Sequence, residues 1–447
     1  MRYCVRCLYP ENHPYGLVFD AHGVCSGCRV HEEKDELHWD ARLQSLKAIV
    51  HANRSRTTGR GFDCIVPVTG GGDSYFMVHV VKNVLELNPL LVHYNHEYNT
   101  AAGIRNLANL ATMLDCDVVT STLRPSLLKR LTRHTLRRHG SMYWQCLAGY
   151  TTFPVQIAVK FRIPLIIWGV QGWSEQTGMF SHLDEAEMTE RLRKEHALMG
   201  IAAEDLVDEE AGISRRDVQP FVYPFDHELE TVGVRGLYLS NYLRWDAKAQ
   251  HELMIDLYGY ESKVQQRTFN TYEDVHCHHS AGLHDHLKML RLGYSKVTDH
   301  ASREIRLRRM SREQGIDLVR EYAHRPPEDL SRFLDWVEMS EDELWTCVDD
   351  RRDPRAWRRA ADGRWELIDS IEHHAGDDGV DAARLPVQGP CEFAVTATAE
   401  PTATDDAYLL MGRGYVDRFN YGAVEDRPDG GGLTPRRAAH PTGGRQP

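Results

Sequence analysis

A doubly wound α/β fold, with a parallel sheet covered by helices on both faces, is predicted for the centre of the chain. Three observations predict it. Short apolar runs at Cys64–Val68, Leu90–Tyr94, Val118–Ser121 and Pro164–Trp168 read as strands. Helical periodicity fills the gaps between them, at 74–87, 101–114, 125–138 and 147–161. The first run also ends in a glycine turn that opens directly into a helical pattern, a strand–turn–helix unit. A zinc knuckle precedes this sheet and a mainly helical part follows it.

In chain order, residues 1–32 form the knuckle. Cys4 and Cys7 make one CxxC and Cys25 and Cys28 a second, with residues 8–24 between the pairs. That spacing is the two-knuckle pattern of a structural zinc site, and four thiolates close the tetrahedron with no open position. The rival reading of a CxxC is a redox pair. His13, His22 and His31 lie nearby but are redundant as ligands. Such knuckles either touch nucleic acid or cap a domain, and the residues leave both uses open. A polar amphipathic helix (Leu37, Leu43, Leu46, Ile49, Val50) lies in the linking segment 33–60.

The α/β domain spans 61–235. Pro67 sits awkwardly in its first strand, since it has no N–H to give, and is expected near the strand's end or at an unpaired edge. Ligands of such sheets bind beyond the carboxyl ends of the strands. That rule gathers Thr69–Ser74, His93–His96 and Gly169–Trp173 around one cleft. Residues 183–235 are acidic and irregular, an insertion or lid. A helical C-terminal domain is expected over 236–360. Residues 361–447 read as a variable, largely disordered tail, its end rich in Gly, Pro and Arg.

The most informative stretch is Val66-Pro67-Val68-Thr69-Gly70-Gly71-Gly72-Asp73-Ser74. Backbone N–H groups at a helix N-terminus cradle an anion, and glycines let the backbone approach it closely. The absence of Gly-Lys-Ser/Thr at the required spacing excludes a Walker A loop. The rival reading makes Asp73 or Ser74 an ordinary N-cap. The segment resembles the SGGxDS pyrophosphate loop of ATP pyrophosphatases, with Thr69 keeping the hydroxyl of the usual first Ser.

Composition sets bounds. With 447 residues there is room for two or three domains. A formal net charge of −12 argues against a dedicated nucleic-acid protein. No run of about 18 apolar residues exists to span a membrane. The N-terminus lacks a signal-peptide core, and ten cysteines, four of them clustered, point to a reducing, cytoplasmic setting.

Several further segments together resemble the bacterial N-acetyl sugar amidotransferases of surface-polysaccharide and flagellar-glycan biosynthesis. They are the double CxxC with Gly23-Val24-Cys25-Ser26-Gly27-Cys28, then Phe62–Val68 running into the glycine loop, Pro89–Val92 and Ile163–Ile167. Leu237–Tyr242 with Trp245-Asp246 follows, then Leu292-Gly293-Tyr294 through Thr298–Ser302 to Ile305-Arg306. The resemblance covers roughly residues 1–350. It implies an ATP pyrophosphatase-type (adenine nucleotide alpha-hydrolase-like) domain and an AMP-releasing, carbon–nitrogen bond-forming ligase. ATP would adenylate an acetamido oxygen, and ammonia would then displace AMP to leave an amidine.

The same resemblance implies ATP, magnesium and structural zinc as cofactors. Thr69, Gly70, Gly71, Gly72, Asp73, Ser74, His93, Tyr94, Asn95, Gly169 and Arg306 would bind ATP, with Asp73, Lys296 and Asp299 catalytic. The sequence departs from the family at Gly72, commonly Lys there, and matches only loosely over Gly169–Gln176. The acceptor would be an acetamido sugar or related small amide. Ammonia would come from a separate glutaminase subunit. Arg2 follows Met1 and Cys4 is committed to metal. Cys64 precedes its turn, and Cys116, Cys146, Cys277, Cys347 and Cys391 lack glycines on both sides, so no cysteine sits in a glutaminase setting.

Other clusters carry two readings each. Arg303, Arg306, Arg308, Arg309 and Arg312 form either a solvated, ion-paired face or a phosphate clamp. Asp299 and His300 are a helix cap, or a general base or magnesium ligand. The basic run Lys129–Arg138 is the wet face of an amphipathic helix, or an RNA contact. His276–His286 lacks zinc spacing and reads as a polar loop. Cys146 is a buried structural cysteine, or a persulfide carrier in a second activity: ATP-dependent sulfur insertion into a small molecule or tRNA. A third reading is a non-catalytic nucleotide-binding partner of a glutaminase.

Overall fold

The computed structural model describes residues 1–54, 61–377, 385, 387, 393 and 395–399. Its centre is a five-stranded sheet in the order β3-β2-β1-β4-β5, every neighbouring pair parallel. The strands are β1 (Cys64–Val68), β2 (Pro89–Asn95), β3 (Asp117–Thr122), β4 (Leu165–Trp168) and β5 (Arg235–Tyr238). Helices follow as crossovers, since parallel neighbours cannot be joined by tight turns. They are α3 (Gly72–His79), α4 (Ala101–Met113), α5 (Pro125–His139), α6 (Trp144–Phe161) and α7 (Gly172–Thr177).

The two-residue period of the strands splits their side chains between two cores. Cys64, Val66 and Val68 of β1, Leu91 of β2, Ile167 of β4 and Leu237 of β5 enter one, with α3 and α4. Ile65, Leu90, Val92, Ile166, Trp168 and Tyr238 enter the other, against α6. This double burial is why the strands read as continuous apolar runs. Pro67 pairs in register with Val92, two residues beyond the recorded β1–β4 bridge at Ile65–Ile166, so its missing N–H falls near the strand's end as expected.

Three boundaries move. The segment read as one linking helix is two, α1 (Ser26–Glu36) and α2 (Trp39–Arg54), and α1 starts inside the knuckle. β5 belongs to the central sheet, so a division at 235/236 cuts a strand. Its four residues, with Gly236 among them, carry too short an apolar run to be seen. The division at 361 falls inside an antiparallel hairpin of β6 (Trp357–Arg359) and β7 (Trp365–Leu367). The rest of the predicted tail, Cys391 included, lies almost wholly outside the described residues.

The insertion contains only short helices, α8 (Glu190–Leu192), α9 (Arg215–Val218) and α10 (Asp226–Val232). After β5 come α11 (Ala247–Tyr258), α12 (Leu283–Leu292), α13 (Lys296–Arg306), α14 (Arg312–Tyr322), α15 (Leu330–Val337) and α16 (Glu341–Asp349). The basic residues of α5 are spoken for: Lys129 and Arg133 meet Glu338, Arg130 meets Asp217, Arg137 meets Glu343 and Arg138 meets Asp208. That leaves the wet-face reading of this helix. Among the described residues no helix is long and apolar enough to cross a membrane.

Candidate functional site

β1 and β4 are adjacent at the point where the strand order reverses, and the glycine loop lies at the carboxyl end of β1. The loop is folded by its own hydroxyls. Thr69 N–H donates to Ser74 Oγ at 2.9 Å and Gly71 N–H donates to Thr69 Oγ1 at 3.1 Å. Thr69 therefore does the work a serine would do. Each glycine is demanded by a close neighbour. A Cβ would meet the Gly103 carbonyl oxygen at 2.0 Å from Gly70, His276 Nδ1 at 3.1 Å from Gly71, and His251 Cδ2 at 2.0 Å from Gly72.

Asp73 is not a cap. The N-cap of α3 is Gly71, with no side-chain cap, and Asp73 lies within the helix's first turn. Its Oδ1 has no hydrogen-bond partner. The nearest basic group is His251 Nε2 at 3.9 Å, and the side chain remains 38 % exposed at the floor of the cleft. Desolvation, opposed by His251, pushes its carboxyl up to about 6. A carboxylate oxygen without a partner in the first turn of a helix could meet a ligand, and a hard oxygen donor suits magnesium.

At the end of β2 the three predicted residues part. His93 is buried, its Nδ1 bonded to the Val68 carbonyl at 3.0 Å. Asn95 accepts from Asn99 Nδ2 at 2.7 Å and from the Glu97 N–H at 3.1 Å, tying the strand end together. Tyr94 points to the opposite face, its hydroxyl on Gln145 at 2.8 Å and its ring over Gly149 of α6, so it is core and not cleft. Gly169 packs against Met77 of α3, where a Cβ would lie 2.8 Å from sulfur.

A loop from the C-terminal part closes over the glycines. Thr100, the N-cap of α4, donates its hydroxyl to the Val275 carbonyl at 2.5 Å and its N–H to the His276 carbonyl at 3.2 Å. The His278 N–H reaches the Tyr98 carbonyl at 2.9 Å. This loop brings Glu273, Asp274 and His276 to the cleft, with His276 Nδ1 unpartnered. Lys296 joins it, its Nζ 2.6 Å from Asp274 and 2.8 Å from Ser280. Burial alone would raise the Asp274 carboxyl, but the Lys296 ammonium holds it far below the usual range. Glu273 is likewise paired with Arg303, at 2.5 Å. His251 and His276 were not singled out as cleft residues, because only the tertiary fold brings them to the loop.

Two predicted site residues lie elsewhere. Asp299 is bonded to Lys288 at 2.5 Å, and its charge is felt by Tyr9 and His13 of the knuckle. Arg306 is buried against the cysteines: Nε approaches Cys28 Sγ at 3.4 Å and NH2 approaches Cys25 Sγ at 3.6 Å. Its other bonds go to the carbonyls of Glu175 at 2.6 Å and Gln176 at 3.0 Å in α7. Arg306 is thus no phosphate clamp. Cys146 is also buried, its thiol pushed well up by desolvation, which is the environment of an unreactive cysteine.

The four knuckle cysteines are buried, and their sulfurs all lie within 4.8 Å of one another. The Cys4–Cys28 and Cys7–Cys25 separations are 4.0 and 3.7 Å. A zinc tetrahedron with bonds of about 2.3 Å has edges of about 3.8 Å, so the set fits zinc. N–H groups of Arg6, Cys7 and Cys25 point at Cys4 Sγ. The knuckle caps the junction of the two larger parts: Ser26 Oγ donates to the Thr177 carbonyl at 2.6 Å, and the Leu8 N–H to Ser302 Oγ at 3.2 Å. Arg306→Met is expected to keep all four thiolates but lose zinc to a chelator roughly 10–100-fold more readily. Metal-release kinetics with a chromogenic chelator measure this.

Residues 266–372, the helical part from the cleft loop through the β6–β7 hairpin, match the family model described as LPS biosynthesis protein WbpG-like, C-terminal domain. No curated protein matches the chain. Among solved structures, NMN synthetase from Francisella tularensis is similar over 46% of this chain and 93% of that one, with 13% identity and a TM-score of 0.26.

Proposed function

We propose that the protein is an ATP-dependent amidotransferase acting on an acetamido sugar or a related small amide. The observation that carries this reading is Asp73. Its partnerless carboxylate oxygen stands in the first turn of α3, at the end of a glycine loop walled by the WbpG-like domain. The loop amides and Asp73 would bind the phosphates of ATP, with magnesium on the Asp73 carboxylate neutralising their charge. The Lys296–Asp274 pair offers a donor and an acceptor for the acceptor molecule's polar groups.

In the first step the acceptor's amide oxygen attacks the α-phosphorus, and the bond to the bridging oxygen breaks to release pyrophosphate. Ammonia then adds to the imidate carbon. AMP departs with the former amide oxygen, leaving the amidine. The protein's contribution is orientation and charge neutralisation. Release of AMP and pyrophosphate that depends on acetamido sugar and ammonium, with an amidine product by mass spectrometry, tests this. Nucleotide release without an acceptor requirement would refute it. Sulfur insertion has less support, since Cys146 sits in a setting of low reactivity.

The nitrogen donor is proposed to be a separate glutaminase in the cytoplasm. The isolated chain is expected to turn over with high ammonium and not with glutamine. The check is a coupled assay for pyrophosphate, with each nitrogen source in turn. Efficient glutamine use by the pure chain would overturn the separate subunit.

A further inference from the structure

Position 72 is glycine because another side chain fills its space. A Cβ there would lie 2.0 Å from Cδ2 and 2.4 Å from Nε2 of His251. His251 comes from α11 and is 1% exposed. Its ring is wedged between those of Tyr260 and Tyr272, at centroid distances of 5.6 and 5.0 Å. Nδ1 donates to the Ala247 carbonyl at 2.6 Å, which fixes the ring's orientation. Nε2 makes no hydrogen bond among the described residues. It stops 3.9 Å from Asp73 Oδ1, which also lacks a partner. Two polar atoms thus face each other beyond hydrogen-bond distance, at the helix terminus where the loop amides converge.

We infer that His251 is a ligand-contacting residue of the phosphate site, its ring protonated on both nitrogens in the complex so that Nε2–H donates to the pyrophosphate portion of ATP from the place a side chain at position 72 would occupy. The inference rests on the ATP reading above but not on the identity of the acceptor. The geometry gives the residue a fixed ring, one committed nitrogen and one nitrogen directed at the loop, which is how a preorganised contact is built. A histidine kept only for packing would not need to displace the side chain of the residue next to Asp73.

The test uses the zinc-loaded full chain and magnesium pyrophosphate as the probe, followed by calorimetry. The parent is expected to bind it. His251→Ala should bind about tenfold or more weakly, as for loss of one hydrogen bond to a charged group. His251→Asn, which keeps more of the volume, should lose a similar factor, so a melting defect in the alanine variant does not decide the matter. Gly72→Lys placed in the His251→Ala background grows into the vacated space and should recover most of the affinity. Gly72→Lys alone, forced against the ring, should not bind.

Binding by His251→Ala or His251→Asn within twofold of the parent would overturn the inference. So would a double variant no tighter than His251→Ala, or a parent that does not bind pyrophosphate. A parent that binds the probe but forms no amidine refutes the amidotransferase reading and leaves His251 in place. Amidine formation that is indifferent to His251, with pyrophosphate affinity also unchanged, refutes the inference alone.

Discussion

Replacing Cys25 by serine is expected to empty the zinc site and unfold the N-terminal module while the central sheet persists. A serine hydroxyl is not a zinc ligand at neutral pH, and three thiolates leave the tetrahedron open. Zinc binding in small modules is worth about 10–16 kcal/mol, comparable with the roughly 5–15 kcal/mol that holds a whole domain folded. The knuckle has little else to fold on. Its own cluster is the cysteines with Tyr9 and Val24, and its other large buried apolar side chains, Tyr3 and Leu8, pack outward into the core of α13 and α14. Elemental analysis should find a single zinc in the parent and none in the variant, and calorimetry should show a new low-temperature transition. A parent that folds with far less than one equivalent of zinc would contradict the assignment.

Asp73→Asn is expected to abolish ATP cleavage, by on the order of a thousandfold or more, and yet to stabilise the protein above neutrality. The two effects share a cause. Burial holds the folded-state carboxyl at about 6, above its ordinary value of 3.8. Between those values the folded form binds the extra proton, so this group favours folding as pH falls and opposes it as pH rises through 6. Asparagine removes that penalty. The variant should therefore melt higher than the parent at pH 8, with the gap closing towards pH 4. Melting curves across that range, paired with pyrophosphate release, read both effects. A variant that turns over like the parent would return Asp73 to a structural role.

The fold was legible where one physical pattern dominated. β1, β2 and β4 show in the sequence because burial on both faces makes them nearly uniformly apolar, whereas β3, an edge strand that is largely exposed, shows through its β-branched run Val118–Thr120. β5 is four residues long, flanked by Val234 and interrupted by Gly236, too brief for any period to register. The site was legible only where it is local. Asp73 and its glycines are consecutive, and the CxxC pairs announce themselves by spacing. Arg306 and Asp299 were misplaced because a crowd of arginines looks the same whether it faces phosphates or buried thiolates. His251 and His276 reach the loop from other helices and loops, and no local spacing encodes that arrival.

The strand-like stitching of Tyr98–Thr100 to Val275–His278 has a consequence for anyone recombining this protein with a relative. The WbpG-like segment begins at 266, ahead of the loop that walls the glycines. A chimera spliced at that boundary would inherit its phosphate loop from one parent and the wall facing it from the other. The splice would cut through the proposed nucleotide site and not beside it, so exchanging C-terminal segments would also change the wall that faces the glycine loop.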